Sequence, residues 1–149
     1  MLELDAGRAE AARALTGADI LGPTDAAAAA ERHTNGDYFD IVFDATGDRR
    51  AMEKGFDLVA HGGRYVLVSV VRDPITFADP DFHRKEMTLL ASRNALSGDF
   101  QQVMSAMRRG DIDVSRIVTH RTSLADAATA IPMWAHAKSG LIKAVIEVA

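Results

Sequence analysis

The sequence predicts an α/β fold in which helices cover both faces of a parallel sheet. Residues 40–47 form an apolar segment that ends in a tight turn, which is typical of a buried strand. Residues 48–60 carry apolar side chains at i, i+4 and i+7, the spacing of one helix face. Residues 65–71 are apolar without polar alternation, so both faces of this second strand should be covered. Strand, helix and strand in this order predict a right-handed parallel βαβ unit.

The bulk composition narrows the classes of protein. The 149 residues, 48% of them hydrophobic and 26% charged, suffice for one domain with a sizeable core, so we expect residues 1–149 to form a single domain. A net charge of −4 gives no basic field, so we expect no nucleic-acid partner. The apolar runs fall well short of the ~20 residues that span a bilayer, so we expect no membrane partner. The chain has no cysteine and no secretion-like start, which fits a cytoplasmic location, although cysteine-free chains are also exported.

Two short strands and two helices should precede the βαβ unit. A strand at 1–5 ends in the carboxylate of Asp5, and a helix at 7–15 follows. A strand at 18–21 leads to a helix at 25–33, which Thr24 could cap and which contains five consecutive alanines.

Further strands and helices should follow the unit. The expected elements are an edge segment at 75–77, a helix at 79–84, a strand at 87–92, a helix at 99–109, an extended piece at 114–119, a helix opened by the capping box 123–126, and a strand at 141–148. In helix 99–109 one face is apolar and should be core, through Phe100, Val103, Met104 and Met107. Pro132 should kink or shorten the last helix.

Several motifs occur in a familiar order: Asp-Ala-Thr-Gly at 44–47, Gly-Gly-Arg at 62–64, Lys85-Glu86, Ser92-Arg93-Asn94, Thr119-His120 and Gly140-Leu141-Ile142-Lys143. Together they resemble the C-terminal NAD(P)-binding half of zinc-type, medium-chain alcohol and polyol dehydrogenases. The run 84–94 is most similar to members that act on polyols, sugar acids or threonine. The resemblance implies a Rossmann-like doubly wound parallel sheet, with the cofactor across the carboxyl ends of its strands.

The resemblance also implies which residues bind the cofactor. Asp5 matches the acidic residue that accepts the ribose hydroxyls, which favours NAD because the 2′-phosphate of NADP would meet a like charge. Arg8, three residues on, could weaken that preference. The other implied positions are Ala45 and Thr46 beside the adenine-ribose, Val68, Ser69 and Val70 near the nicotinamide, Ser92, Arg93 and Asn94 for backbone contacts with the carboxamide, and Lys143 at the pyrophosphate.

Simpler interpretations stand beside these roles. Asp5 could cap the helix that follows it, and a cap and a ribose contact are compatible. Lys143 and Arg93 would by default be solvated surface charges. The five histidines, His33, His61, His83, His120 and His136, show no zinc-ligand spacing, and we expect His120 to pack or hydrogen-bond. We predict no catalytic and no metal-binding residue in the chain.

The sequence departs from the family pattern in two respects. It contains no Gly-x-Gly, so the strand–Gly-x-Gly-x-x-Gly–helix unit that would precede residues 1–5, and whose strand would lie beside residues 39–44, is missing. The half that would hold zinc is missing as well. We therefore expect a fragment that is inactive by itself, from an enzyme that transfers hydride between an alcohol or polyol and NAD(P).

Two other interpretations remain. The chain could be a non-catalytic assembly module whose exposed strand edges pair with a second copy. It could also be another doubly wound domain, such as a methyltransferase core, although the dehydrogenase motifs disfavour this. In the family, edge strands join two subunits, so we expect a homodimer through residues 74–77 or 87–92.

Overall fold

The computed structural model describes residues 1–22, 26–136 and 140–148. In chain order the elements are helix α1 (Ala6–Thr16), α2 (Ala26–Thr34), strand β1 (Phe39–Asp44), α3 (Arg49–Gly55) followed by a 3₁₀ turn (Phe56–Leu58), β2 (Val59–Leu67), α4 (Asp79–Arg84), β3 (Thr88–Ala91), α5 (Ser97–Arg109), α6 (Val114–Ile117), β4 (Val118–Ser123), α7 (Ala127–His136) and β5 (Lys143–Glu147). The predicted α/β class is confirmed. The proposed cap Thr24 lies outside the described residues.

The elements divide into two compact units. The first, here called the central unit, is Thr24–Asn94, and the second, here called the flanking unit, combines Met1–Pro23 with Ala95–Ala149. The single domain over 1–149 stays a prediction.

The central unit contains the predicted parallel βαβ arrangement. Its three strands are parallel in the order β1-β2-β3, and α3 connects the first two. The segment 75–77, predicted to be an edge strand, is irregular, so β3 forms that end of the sheet.

The start of β2 differs from the prediction. The helix was expected to reach residue 60, with the glycines ending it, but β2 already begins at Val59, which is fully buried. Gly62 and Gly63 lie inside the strand, where the register with β1 shifts and Gly62 has a φ of 69°. A side chain at Gly63 would lie 2.7 Å from Val59 Cγ1, so the bulge depends on glycine here.

The core of the central unit surrounds Tyr65. Its ring is fully buried and contacts Phe56 edge-on, with ring centroids 4.7 Å apart. Its hydroxyl donates to the carbonyl of Met52 (2.8 Å), so the buried polar atom is satisfied. Gly55 leaves room for this hydroxyl, because a Cβ there would overlap it. Met87 completes the buried cluster, and burial raises the pKa of the Tyr65 hydroxyl above its usual value.

The described residues of the flanking unit contain fewer strands than the central unit. β4 and β5 form a parallel two-stranded sheet, and the strands predicted at 1–5 and 18–21 are reduced to one parallel bridge, Leu2 to Leu21. Helix α6 occupies part of the piece expected to be extended, because Asp113 caps it by accepting the amide of Ser115 (3.1 Å).

The apolar face of α5 contradicts its predicted place in the core. Phe100 is 63% exposed, and Val103, Met104 and Met107 are exposed as well. Among the described residues of the flanking unit only Ala127 is buried. Helical periodicity identified the apolar face correctly, but it does not supply the surface that would cover the face.

Candidate functional site

The buried carboxylate of Asp44 organises the carboxyl edge of the three-stranded sheet. Asp44 ends β1 and is 6% exposed. Thr46 donates its amide to Asp44 Oδ1 (3.1 Å) and its hydroxyl to Oδ2 (3.0 Å). Ser69, beyond the end of β2, donates its hydroxyl to Oδ1 (2.8 Å). Hydrogen bonds to a charged group are strong, so this carboxylate fixes two strand ends together.

Backbone contacts extend this network into the turn before α3. The amides of Val68 and Ser69 donate to the carbonyl of Asp44 (2.8 and 3.2 Å). Gly47, at a φ of 64°, donates its amide to Ser69 Oγ (2.9 Å). Asp48 then caps α3 through the amide of Ala51 (2.9 Å).

The organising role of Asp44 is not among the predictions from sequence, in which this aspartate is only the first residue of the 44–47 motif. The signal was present, because an aspartate ending an apolar strand needs compensating donors once it is buried. Its partners Thr46 and Ser69 are among the predicted cofactor positions, but through the family resemblance and not as donors to Asp44.

The structure gathers most of the predicted cofactor positions at this edge. Parallel strands end on the same side of a sheet, so residues after β1, β2 and β3 share one edge. The residues so placed are Ala45 and Thr46 after β1, Val68, Ser69 and Val70 after β2, and Ser92, Arg93 and Asn94 after β3. Ser92 continues the ladder by donating its amide to the carbonyl of Leu67 (2.9 Å), and Asn94 turns the chain at a φ of 63°.

The edge combines a fixed polar network with exposed apolar side chains. Val70 is 83% exposed and Val68 is also exposed, on either side of the half-buried Ser69. Exposed valines beside a strand end offer apolar surface against which a planar ring can pack. The residues present therefore fit the ring of a nicotinamide.

Asp5 lies in the flanking unit and is the cap of α1. Its Oδ1 accepts the amide of Arg8 (2.8 Å), which confirms the cap interpretation. Arg8 donates to Glu3 Oε1 (3.1 Å), and this hydrogen bond lowers the pKa of Glu3 and raises that of Arg8. The guanidinium that could have weakened a preference for NAD is thus already paired with a carboxylate.

Lys143 also belongs to the flanking unit. It is the exposed first residue of β5 and pairs in register with Val118. Within the described chain its ammonium forms no hydrogen bond or ion pair, so the side chain has the character of a solvated charge.

The described residues contain neither a metal cluster nor a long apolar helix. In the ranges 1–22, 26–136 and 140–148, no three His, Asp or Glu side chains converge as metal ligands would. In those ranges no helix has the length and hydropathy to cross a bilayer.

His120 packs edge-on against Trp134 (centroids 6.0 Å apart) and hydrogen-bonds Thr119 Oγ1 (3.0 Å), as predicted.

A comparison with models of protein families identifies the family of this chain. A family model described as zinc-binding dehydrogenase matches residues 1–109. The chain belongs to the zinc-binding dehydrogenase family. Asp5 and all the strand-edge positions fall inside the matched residues, whereas Lys143 falls outside them.

One relative is L-galactonate-5-dehydrogenase of Escherichia coli, which is 39% identical over 105 residues. The match covers 70% of this chain and 31% of that protein. D-xylulose reductase A of Aspergillus oryzae is 30% identical over 135 residues, covering 87% of this chain and 38% of that one. The chain thus spans about a third of the length of these relatives.

A solved structure confirms the Rossmann-like fold. An alcohol dehydrogenase of Escherichia coli, complexed with NADH, has a TM-score of 0.85 at 19% identity, covering 99% of this chain and 43% of that one. At this identity the likeness concerns the fold alone.

Proposed function

We propose that this chain is the nucleotide-binding part of an enzyme that transfers hydride between an alcohol or polyol and NAD(P). The observation that carries the proposal is the Asp44 network, which fixes the ends of β1 and β2 at the edge where this fold binds dinucleotides. Membership of the zinc-binding dehydrogenase family supports it, as do relatives that act on L-galactonate and D-xylulose.

In this proposal the chain binds and orients the cofactor, which supplies the hydride chemistry when bound. Val68 and Val70 would pack against the nicotinamide, and the backbone of Ser92–Asn94 would hold its carboxamide. Lys143 would meet the pyrophosphate. None of the residues in the chain is proposed to transfer a proton. Zinc would activate the alcohol, and the residues that would bind the zinc are proposed to lie outside the 149 residues.

We propose NAD rather than NADP as the preferred cofactor. Asp5 uses Oδ1 to cap α1, and Oδ2 remains to accept a ribose hydroxyl. A 2′-phosphate would meet this negative charge. Arg8 interacts mainly with Glu3, to which it is hydrogen-bonded, and offsets the charge of Asp5 only through a weaker, longer-range attraction. A cytoplasmic location also stays a prediction.

Calorimetric titration with NAD and NADP tests this proposal. The 149-residue chain lacks a Gly-x-Gly turn, so we expect no measurable binding by it alone. Fusing a strand–Gly-x-Gly-x-x-Gly–helix segment ahead of Met1, where the family pattern places it, should create NAD binding, with weaker NADP binding. Tight NAD binding by the unaltered chain would contradict the need for the turn, and failure of the fusion to bind would contradict the proposal.

A charge variant separates the two roles of Asp5. In the fusion, Asp5→Asn retains a good helix cap but removes the charge, so the preference for NAD should weaken about tenfold, the ~1.4 kcal/mol of one charged contact. Glu10→Gln, on the same helix, is the matched control and should leave the preference unchanged. Equal effects of the two variants would show that Asp5 only caps.

We propose a homodimer formed through β3. This strand lies at one end of the three-stranded sheet, and all four of its residues are exposed, among them Leu89 and Leu90. An exposed apolar edge readily pairs with a second copy. Sedimentation should show a dimer that Leu90→Lys dissociates. A dimer whose glycine-turn fusion still fails to bind NAD would favour the alternative, a non-catalytic assembly module.

A further inference from the structure

A cavity of the central unit lies at the amino ends of the three strands, whereas the Asp44 network lies at their carboxyl ends. Its volume is about 750 Å³, which is the size of cavities that hold small molecules. Tyr38, just before β1, Ala60, near the start of β2, and Met87, just before β3, all line it, so it opens at the amino ends of the strands. All of its lining residues belong to the central unit.

One wall of this cavity is aromatic. Phe56 and Phe77 stack with their ring centroids 4.7 Å apart, and Phe82 lies 5.1 Å from Phe77. Phe56 is buried in the core, whereas Phe77 is 41% exposed and lines the cavity. The rings thus form a preformed apolar surface that has one face open to a ligand.

The rim of the cavity carries carboxylates without partners. Asp37, Asp40 and Asp57 line it, and in the described ranges their side chains make no hydrogen bond or ion pair. The other two acidic residues are engaged, because Glu53 accepts from Thr76 (3.0 Å) and Asp81 pairs with Arg84 (3.2 Å).

The nearby cations do not neutralise these three carboxylates. Lys85 donates its ammonium to the carbonyls of Asp57 (3.3 Å) and Val59 (2.9 Å) and lies 5.0 Å from the centroid of the Tyr38 ring. Arg84 is held by Asp81, and His61 is the remaining basic residue of the lining. The ammonium of Lys85 keeps its charge because its partners are neutral carbonyls, but three unpaired carboxylates outnumber it, so the lining carries a net negative charge.

Tyr38 shows that this end of the sheet is held in an unusual conformation. Its φ is 65°, a left-handed value that bulky residues rarely adopt. Thr34 Oγ1 accepts its amide (2.8 Å), and the conformation places the ring beneath Lys85. Backbone conformations of this kind are concentrated at ligand sites.

We propose that this cavity binds a small aromatic amine. The ring of the ligand would pack against Phe77, and its protonated amine would be received by the carboxylates of Asp40 and Asp57. None of these residues belongs to the proposed cofactor set, so the inference is independent of the proposed dehydrogenase function.

Titration of the 149-residue chain with phenethylamine, followed by NMR, tests this inference. We expect saturable shifts in the cavity residues, and weaker binding of the neutral analogue phenethyl alcohol by about fivefold or more, as expected for one ion pair. Equal binding of the two compounds, or no saturable binding of the amine, would overturn the inference.

Matched variants locate the site. Asp57→Asn should weaken phenethylamine binding about fivefold and leave phenethyl alcohol unaffected. Asp73→Asn, an exposed carboxylate of the same unit outside the cavity, should change neither. Phe77→Ala should weaken both compounds, with its circular dichroism confirming the fold. If Asp73→Asn weakens phenethylamine binding as much as Asp57→Asn does, the amine is attracted by the overall negative charge of the protein and the proposed site is wrong.

Discussion

The central and flanking units differ in how they use their apolar residues. In the central unit, Tyr65 and Val59 of β2 are fully buried. The prediction that strand 40–47 is buried and that both faces of 65–71 are covered is nevertheless wrong in part, because Phe43 is 68% and Val70 83% exposed. In the flanking unit, α5 has an equally clear apolar face, yet Phe100 on that face is 63% exposed.

The helix of a βαβ connection covers one face of the strands that it joins, as α3 does where Tyr65 donates to Met52, whereas an amphipathic helix requires a separate surface. The described residues of the flanking unit do not supply that surface for α5.

The largest expected effect follows from this difference. Tyr65→Ala should destabilise the central unit by about 3–5 kcal/mol, because a fully buried ring leaves a cavity. Phe100→Ala should change the stability of the flanking unit by no more than about 0.5 kcal/mol, as is usual for surface positions. Hydrogen exchange read separately in peptides 59–67 and 97–109 measures both.

The outcome for Phe100 is the critical one. A loss of protection in 97–109 comparable to that caused by Tyr65→Ala in 59–67 would show that the face of α5 is covered in solution. The comparison between the two units would then fail. Repeating the measurement on diluted protein would show whether a second copy supplies the cover.

The next largest effect concerns the buried carboxylate. The carboxylate of Asp44 accepts hydrogen bonds from Thr46 and Ser69 through two oxygens, whereas the amide in Asp44→Asn has one acceptor oxygen. The free energy of unfolding of the central unit should therefore fall by about 1.5–3 kcal/mol. Asp40→Asn is the control, since Asp40 is exposed on the same strand. Urea unfolding of both variants gives the comparison. A loss for Asp40→Asn as large as that for Asp44→Asn would mean that the network does not stabilise the edge.

The sequence predicted best those elements whose pattern is local. The strand at 39–44 and the helix after it followed from apolar runs and spacing. The bulge at Gly62 and Gly63 was missed, because consecutive glycines also end helices and only the packing against Val59 distinguishes the two.

The site was predictable in position but not in its organisation. Residues such as Ser69 and Thr46 could be placed at strand ends by resemblance. The burial of Asp44 depends on long-range contacts, with Ser69 lying far along the chain, and no local pattern encodes it. The same limit explains why the exposure of α5 was not foreseen.

The smallest expected effect compares one half-buried carboxylate in each unit. Hydrogen bonds from the amide and hydroxyl of Thr76 lower the pKa of Glu53, and those from Arg8 and the amide of Asp5 lower that of Glu3. A lowered pKa means that the stabilisation is present above the unfolded value of 4.5 and is lost as the pH falls through the folded pKa.

Glu53→Gln and Glu3→Gln should therefore each be slightly less stable than the parent at pH 7. Both differences should shrink below pH 4.5 and vanish once the pH has fallen below the lowered folded pKa of each glutamate. Urea midpoints measured across this range test the expectation. Thr76→Val removes the hydroxyl but keeps the amide, so it should reproduce only part of the Glu53→Gln effect. If a Gln variant remained less stable than the parent at low pH, the loss would come from packing and not from the charge of the glutamate. The two units would then differ in their cores and not in their surface charges.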